Sequence, residues 1–383
     1  MAHTNTVLSQ LLQLIPRHEF QPLAKQHHQG QRLRKISRWD QFVALMMAQL
    51  TGRQSLRDIE ANINLQTGSR YHLGVRQIAK SSLARVNEKQ PYTLYAALFG
   101  KLVSRCQNLS PQHKFRFNNP LFSLDASLIE LSLAIFPWAD HNRSKAAMKL
   151  HVGLDHRGHF PAFAMVTDGA RHDVPVGREF DFPKGSVVVI DKGYTDYGWY
   201  KQLTDKGIFF VTRQRTNAKY RVIERREVNR EQCVTSDQVI ELTGQQLKHM
   251  AMPRLRRIGY RDPETGKHYV FLTNHFGLSA KTLANVYKDR WQVELFFKAL
   301  KQNLKIHAFV GNSRNAVLTQ IWIALCTYLL LSYLKFLSKT GWSEQRILRL
   351  LQTNLFSKKD LMTIIRPSPP EKKGSPPQLV LWA

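Results

Sequence analysis

The sequence predicts an α/β fold: a mixed sheet flanked by helices, interrupted by a β-rich insertion and preceded by a helical, basic segment. Three observations carry that prediction. Between Pro120 and Thr212, strand-like runs alternate with helical ones in the order β-β-β-α-β-α-β, the pattern of a sheet with helices packed on it. Residues 213–270 turn basic and rich in strand-like pieces, with thirteen Lys+Arg against seven Asp+Glu. Residues 1–118 show helical spacing and a basic balance, seventeen Lys+Arg against five Asp+Glu. The expected divisions are a helical basic domain (1–118), a first part of the sheet domain (119–212), the insertion (213–270), a second part with C-terminal helices (271–356) and a disordered tail (357–383).

Each element has a local cause. Ser37 with Asp40 three residues on resembles a capping box, and Trp39, Phe42, Val43, Met46 and Leu50 follow at helical spacing. Ser55 to Asp58 repeats that start signal. Ile78, Leu83 and Val86, with Lys80 and Arg85 between them, suit either the last helix of a helix-turn-helix-like unit or an ordinary bundle. A further helix follows Pro91. Leu121 to Ile129, Lys149 to Asp155 and Phe160 to Thr167 are strands, the last two joined by the turn His156-Arg157-Gly158-His159. A short helix covers Val174 to Phe180. Val187 to Ile190, before Asp191, is continuously β-branched, as strands buried on both faces are. Tyr197 to Lys206 is a helix and Ile208 to Thr212 a strand. Within the insertion, Tyr220–Val228 and Leu255–Arg261 are strand-like, and the turn at Asp262 to Gly266 leads into a strand at Tyr269–Thr273. Ser279 caps one helix that carries Tyr287 to Lys301, and helices continue to about Leu355. The Lys-, Pro- and Ser-rich end (RPSPPEKKGSPP) has the composition of disorder.

The 383 residues carry a net charge of +28, which points to a polyanionic partner. Nucleic acid is the first candidate and an anionic membrane the second. The membrane reading is weak: Met1 to Gln10 is polar, and the longest apolar stretch, Ile321 to Leu331, is about half a span. We expect that stretch to be a buried helix and the protein to have no membrane partner. The scattered cysteines, Cys106, Cys233 and Cys326, suit a reducing cytoplasm and form neither a disulfide framework nor a zinc site.

The chemistry is expected on three carboxylates. Tyr287, Arg290, Glu294 and Lys301 fall at roughly 0, 300, 340 and 320° on a helical wheel. Val286, Val293, Phe297, Leu300 and Leu304 lie just beside them, so an apolar face would seat the polar stripe at the edge of a core. Alone, a mixed-charge stripe is usually a solvated face. Two aspartates change the balance. Asp125 lies within an apolar strand and Asp191 ends a buried one, where a carboxylate is costly unless paired. Ligand sites in open α/β sheets lie at the carboxyl ends of strands. With Glu294 a third carboxylate arrives, and three at ~4 Å demand a divalent cation. Without His or Cys clusters the expected cofactor is Mg2+ as two ions, with Mn2+ able to substitute. Such a pair suits in-line displacement at phosphorus.

The order Asp125, Asp191, Glu294 resembles the D-D-E triad of the ribonuclease-H-like transposases and integrases. Tyr287-x2-Arg290-x3-Glu294-x6-Lys301 is similar to the Y-R-E-K signature of the insertion-sequence-four group of bacterial transposases. The resemblance covers about Pro120 to Lys335, including a β-rich insertion between Asp191 and Glu294. It implies a ribonuclease-H-like mixed sheet, with Asp125, Asp191 and Glu294 as catalytic residues and metal ligands. It implies that Tyr287, Arg290 and Lys301 bind DNA, holding phosphates of the transposon end. The activity implied is cut-and-paste transposition, with cleavage at terminal inverted repeats and transfer of the 3′-hydroxyl to target DNA. The partners implied are double-stranded DNA, as ends and as target, and a second copy of the chain in a homodimer on DNA. Several members excise through a DNA hairpin with a tryptophan stacked on a flipped base. Trp291 is one candidate for that role, and the hairpin step stays open.

Other residues have weaker readings. Asp168 to Asp173 is a polar loop in which His172 is either a ligand or part of a loop hydrogen-bonding network, the second being the more common case. Asp140 to Arg143 is either a DNA-facing loop or a plain connection. Gly193 is expected to serve a tight turn beside Asp191. Arg225, Arg226, Arg254, Arg256 and Arg257 are each a DNA backbone contact or a solvated charge. His151 and Asp155 receive no role. Two competitors remain: a metal-dependent nuclease of the same fold that never joins DNA, and a non-catalytic DNA-binding protein descended from a transposase.

Overall fold

The structure is a computed structural model that describes residues 5–142, 145–244, 249–304, 306 and 309–366. Seven helices come first: α1 (Val7–Gln13), α2 (Arg17–Gln26), α3 (Arg38–Thr51), α4 (Leu56–Leu65), α5 (Arg70–Leu73), α6 (Lys80–Lys89) and α7 (Thr93–Leu109). Their starts follow the sequence signals. Ser37 and Asp40 close a reciprocal capping box at α3, and Ser55 accepts from the Asp58 amide at α4. α4 and α6 are joined through the short α5, by residues 66–69 on one side of it and 74–79 on the other.

The chain then enters the sheet through β1 (Leu121–Leu131), β2 (Asp140–Asn142), β3 (Lys145–Asp155) and β4 (Phe160–Asp168). Helix α8 (Asp173–Glu179), β5 (Val187–Ile190), α9 (Tyr197–Asp205) and β6 (Phe209–Arg213) follow. β1 pairs antiparallel with β3 and β3 with β4, while β5 runs parallel to β1 and β6 parallel to β5. The spatial order β4-β3-β1-β5-β6 is the ribonuclease-H-like arrangement, as expected. β2, within the stretch read as a loop, pairs with the start of β3.

The insertion extends the same sheet. β7 (Tyr220–Arg225), β8 (Val234–Leu242), β9 (Leu255–Arg261) and β10 (His268–Thr273) continue it antiparallel, with β10 paired to both β6 and β9. Arg256, weighed as a DNA contact, is buried and holds Asp237 through Nε and Nη2 at 2.9 and 2.6 Å. It is committed to the sheet.

The helix expected to run unbroken from Ser279 through Lys301 is two helices. α10 (Ala280–Asp289) ends and α11 (Trp291–Asn303) begins at Arg290. There the Arg290 amide bonds back to Tyr287 and the Val293 amide to Arg290, three residues apart and not four. α12 (Arg314–Ser338), α13 (Glu344–Asn354) and α14 (Leu361–Ile365) close the fold. α12 is long and apolar enough to span a membrane, but 94% of its most apolar window is buried inside the protein. That is the buried helix the sequence predicts. Residues 357–366, placed in the expected tail, include α14, whose Leu361 and Ile365 are buried; residues 367–383 lie outside the described residues. One core joins both ends of the chain. Phe42, Leu45 and Met46 of α3, Leu94, Leu98 and Leu102 of α7 and Ile321, Leu325 and Leu329 of α12 belong to one buried cluster. Two smaller clusters fill the two faces of the sheet around β5.

Candidate active site

Register places the two aspartates. Leu124 of β1 pairs with Ile190 of β5, so Asp125 and Asp191 follow side by side where β5 ends. The Ala126 amide donates to Asp125 Oδ1 at 2.8 Å. Asp191 Oδ1 accepts from the Tyr287 hydroxyl at 3.1 Å, which brings α10 onto the end of β5. The tight turn after α10 aims Arg290 between the other two carboxylates. Its Nη1 donates to Asp125 Oδ2 at 3.2 Å and its Nη2 to Glu294 Oε1 at 2.7 Å. Five of the six expected residues thus form hydrogen-bonded contacts drawn from the middle of β1, the end of β5 and two helices. Lys301 stands beside them, lining a recess of about 490 Å³ with Asp125, Ser127 and Glu294.

Burial sets the electrostatics. It pushes the Asp125 carboxyl up to about 6; the Ala126 amide and Arg290 act against the rise, and Glu294 and Asp191 add to it. Burial, then the Asp191 charge, raises the Tyr287 phenol. Burial lowers the Lys301 ammonium, opposed by Glu130. The Arg290 guanidinium is raised although burial opposes it, because Asp125, Tyr287 and Glu294 hold the charged form. Two donors at the site, Tyr194 Oη and Arg290 Nε, are buried without a partner.

These residues fit a hard divalent cation. The donor set is all oxygen, and three carboxylates outweigh one guanidinium. The three carboxylates do not all come within 4.8 Å of one another, since the single His/Asp/Glu/Cys group meeting that test among the described residues lies elsewhere. The separation has a cause: Arg290 stands between Asp125 and Glu294.

The site opens into a cleft of about 870 Å³ whose lining mixes cations and aromatics, among them Lys114, Arg213, Tyr269, Tyr287, Arg290 and Trp291. Trp291 is 57% exposed at its wall. Gly193 has no left-handed φ, and a Cβ there would meet Asp191 Oδ2 at an ordinary 3.9 Å, so the turn makes no demand for glycine. The loop from Asp168 to Asp173 is tied outward, by Arg314 of α12 to Asp168 and by Lys149 of β3 to Asp173.

Sequence reasoning missed Asp289. It is 6% exposed, and its carboxylate takes Lys114 Nζ at 2.6 Å and His156 Nδ1 at 2.8 Å; His156 Nε2 in turn meets Ser123 Oγ at 2.6 Å. A signal was present. On an unbroken helix Asp289 falls at about 200°, beside the apolar face and off the polar stripe. A carboxylate there needs a partner.

Comparison with known proteins points one way. The family described as Transposase DDE domain matches residues 116–330, and a domain of unknown function (DUF4372) matches residues 3–76. The chain is 31% identical over 75% of its length to a protein assigned as transposase y4zB in Sinorhizobium fredii, covering 80% of that protein. It is 29% identical over 68% of its length to one assigned as the transposase for insertion sequence element IS5377 in Geobacillus stearothermophilus, covering 68% of it. A structural likeness to a chain of the piggyBac transposase synaptic complex with hairpin DNA has a TM-score of 0.43 at 13% identity, over 95% of this chain and 80% of that one; at that score it carries no weight.

Proposed function

The chain belongs to the Transposase DDE domain family, hence is a DNA transposase that uses a divalent metal, and from that premise we propose how its residues divide the work. Asp125, Asp191 and Glu294 are the catalytic carboxylates and hold Mg2+, as two ions, with Mn2+ as a substitute. The observation that carries this reading is the Arg290 guanidinium bridging Asp125 and Glu294 while Tyr287 holds Asp191. The ions, when bound, activate an attacking oxygen and stabilise a leaving one. The chain's own part is to hold three carboxylates on rigid strand and helix elements and to dehydrate them. Arg290 is suited to swing its bidentate fork from the carboxylates onto a phosphate. Lys301 supplies a point charge from the neighbouring recess, and Tyr287 orients Asp191.

The reading extends to cut-and-paste transposition: cleavage at terminal inverted repeats, then attack by the freed 3′-hydroxyl on target DNA. The signature spacing from Tyr287 to Lys301 supports placing the chain in the insertion-sequence-four group. Residues 1–118 contribute DNA binding through their basic surface, the active form on DNA is a homodimer, and the protein works in the cytoplasm.

The test uses labelled double-stranded DNA carrying the element's own end, with Mg2+, comparing wild type to Glu294→Ala. Cleavage and joining by wild type alone is the expected result. Cleavage that never proceeds to joining moves the assignment to a nuclease. Binding with no cleavage by either protein, in Mg2+ or Mn2+, leaves a DNA-binding descendant of a transposase.

A further inference from the structure

Outside the carboxylate cleft, His156, His159 and Asp289 offer three ligand atoms within 4.8 Å of one another, the one such group of His, Cys, Asp or Glu among the described residues. His156 Nδ1 lies 2.8 Å, and His159 Nε2 3.8 Å, from the same oxygen, Asp289 Oδ2. The outer contacts are those a metal site requires. Ser123 Oγ meets the far nitrogen of His156 at 2.6 Å, which fixes the ring, and Lys114 Nζ holds the other Asp289 oxygen at 2.6 Å.

His159 decides between a metal site and a plain hydrogen-bond relay. At 3.8 Å it is too far from Asp289 to be hydrogen-bonded. It adopts φ 59°, a left-handed turn conformation that Asn, Asp and His enter more readily than other non-glycine residues. A relay from Ser123 through His156 to Asp289 is complete without it. As a third ligand its side chain has a use, since its Nε2 lies with the other two ligand atoms inside 4.8 Å. Two imidazoles and one carboxylate suit a borderline cation, unlike the all-oxygen set at Asp125, Asp191 and Glu294.

We propose that His156, His159 and Asp289 form a second metal site, selective for a borderline divalent cation such as Zn2+, that clamps the β3–β4 turn onto the end of α10. The clamp is structural. It fixes the residue before Arg290 and, through Ser123, the strand that carries Asp125 two positions on. It does not depend on the catalytic assignment.

The test is calorimetric titration of chelator-stripped full-length protein with Zn2+ in excess Mg2+, repeated with Co2+ to read the ligand field optically. The expected result is one Zn2+ per chain and a Co2+ spectrum of low coordination number. His159→Asn, which suits the left-handed turn and leaves the relay intact, weakens binding about a hundredfold with unchanged metal-free stability. Asp125→Asn and Glu294→Ala bind Zn2+ as wild type does. Absence of Zn2+ binding, or binding indifferent to His159→Asn, overturns the proposal. Loss of binding in the Asp125 or Glu294 variants also overturns it, by assigning the ion to the cleft.

Discussion

At the scale of single residues, Arg290 bears the most. Its side chain is 15% exposed, and one planar fork spans two carboxylates. Lysine keeps the charge but cannot make both contacts. Arg290→Lys should therefore fold and bind DNA while cleaving about 100-fold more slowly; single-turnover cleavage of labelled ends reads this, and a near wild-type rate would remove Arg290 from the site. His151 gives a prediction of a different kind. Burial pulls its imidazole down to about 4, with Asp173 acting against the fall. The unfolded chain takes up that proton near 6.5 and the folded one only near 4. Stability from this residue is thus complete above pH 6.5 and drains away as the pH falls toward 4. The loss should come to ~2–3 kcal/mol. His151→Gln, still able to meet Thr167, should lack that share of the acid loss in urea unfolding across pH 4–7. Equal acid sensitivity in both proteins would mean the histidine is already charged in the fold. Neither role was legible in the sequence. The stripe revealed that Arg290 shares a face with Glu294, but not that it reaches Asp125, 165 positions away.

At the scale of elements, the strands of the catalytic half were legible because each is written locally. The apolar run in Leu121 to Ile129 and the β-branched run at Val187 to Ile190 mark the elements, and the second is buried throughout. The break between α10 and α11 was not legible. Nothing in Tyr-Lys-Asp-Arg-Trp opposes a helix; the turn tightens where Asp289 is drawn to His156 and Lys114 and Arg290 to Asp125 and Glu294. The β3–β4 turn shows the same long-range dependence. Gly158 has φ +127°, and a Cβ there would come within 2.4 Å of the Phe336 ring on α12. Gly158→Ala should cost roughly 2 kcal/mol or more, from strain and overpacking together. Thermal unfolding would show it, and adding Phe336→Leu should recover only the overpacking part. Full recovery in the double variant would mean the turn tolerates alanine.

At the scale of the whole molecule, the change in composition near residue 118 is not a change in packing. Phe99 of α7 meets Trp322 of α12 with ring centroids 5.4 Å apart, and across the same seam the Cys106 thiol donates to the Leu329 carbonyl and the Cys326 thiol to the Tyr95 carbonyl. A fragment beginning at residue 119 would expose the apolar length of α12, so we expect it to aggregate. A monomeric, cooperatively unfolding fragment would show that the N-terminal helices are dispensable to the fold. The charge makes a claim of the same reach. A net +28 on one chain should bind DNA chiefly by displacing counterions, so log affinity should fall linearly with log salt at a slope of roughly −0.9 per phosphate neutralised. Glu294→Ala should keep that slope while cutting nothing, because the basic surface and the carboxylates do separate work. A flat response in wild type would mean that the positive surface does not follow the phosphate backbone. A slope altered by Glu294→Ala alone would mean that the active-site helix carries part of the general DNA contact.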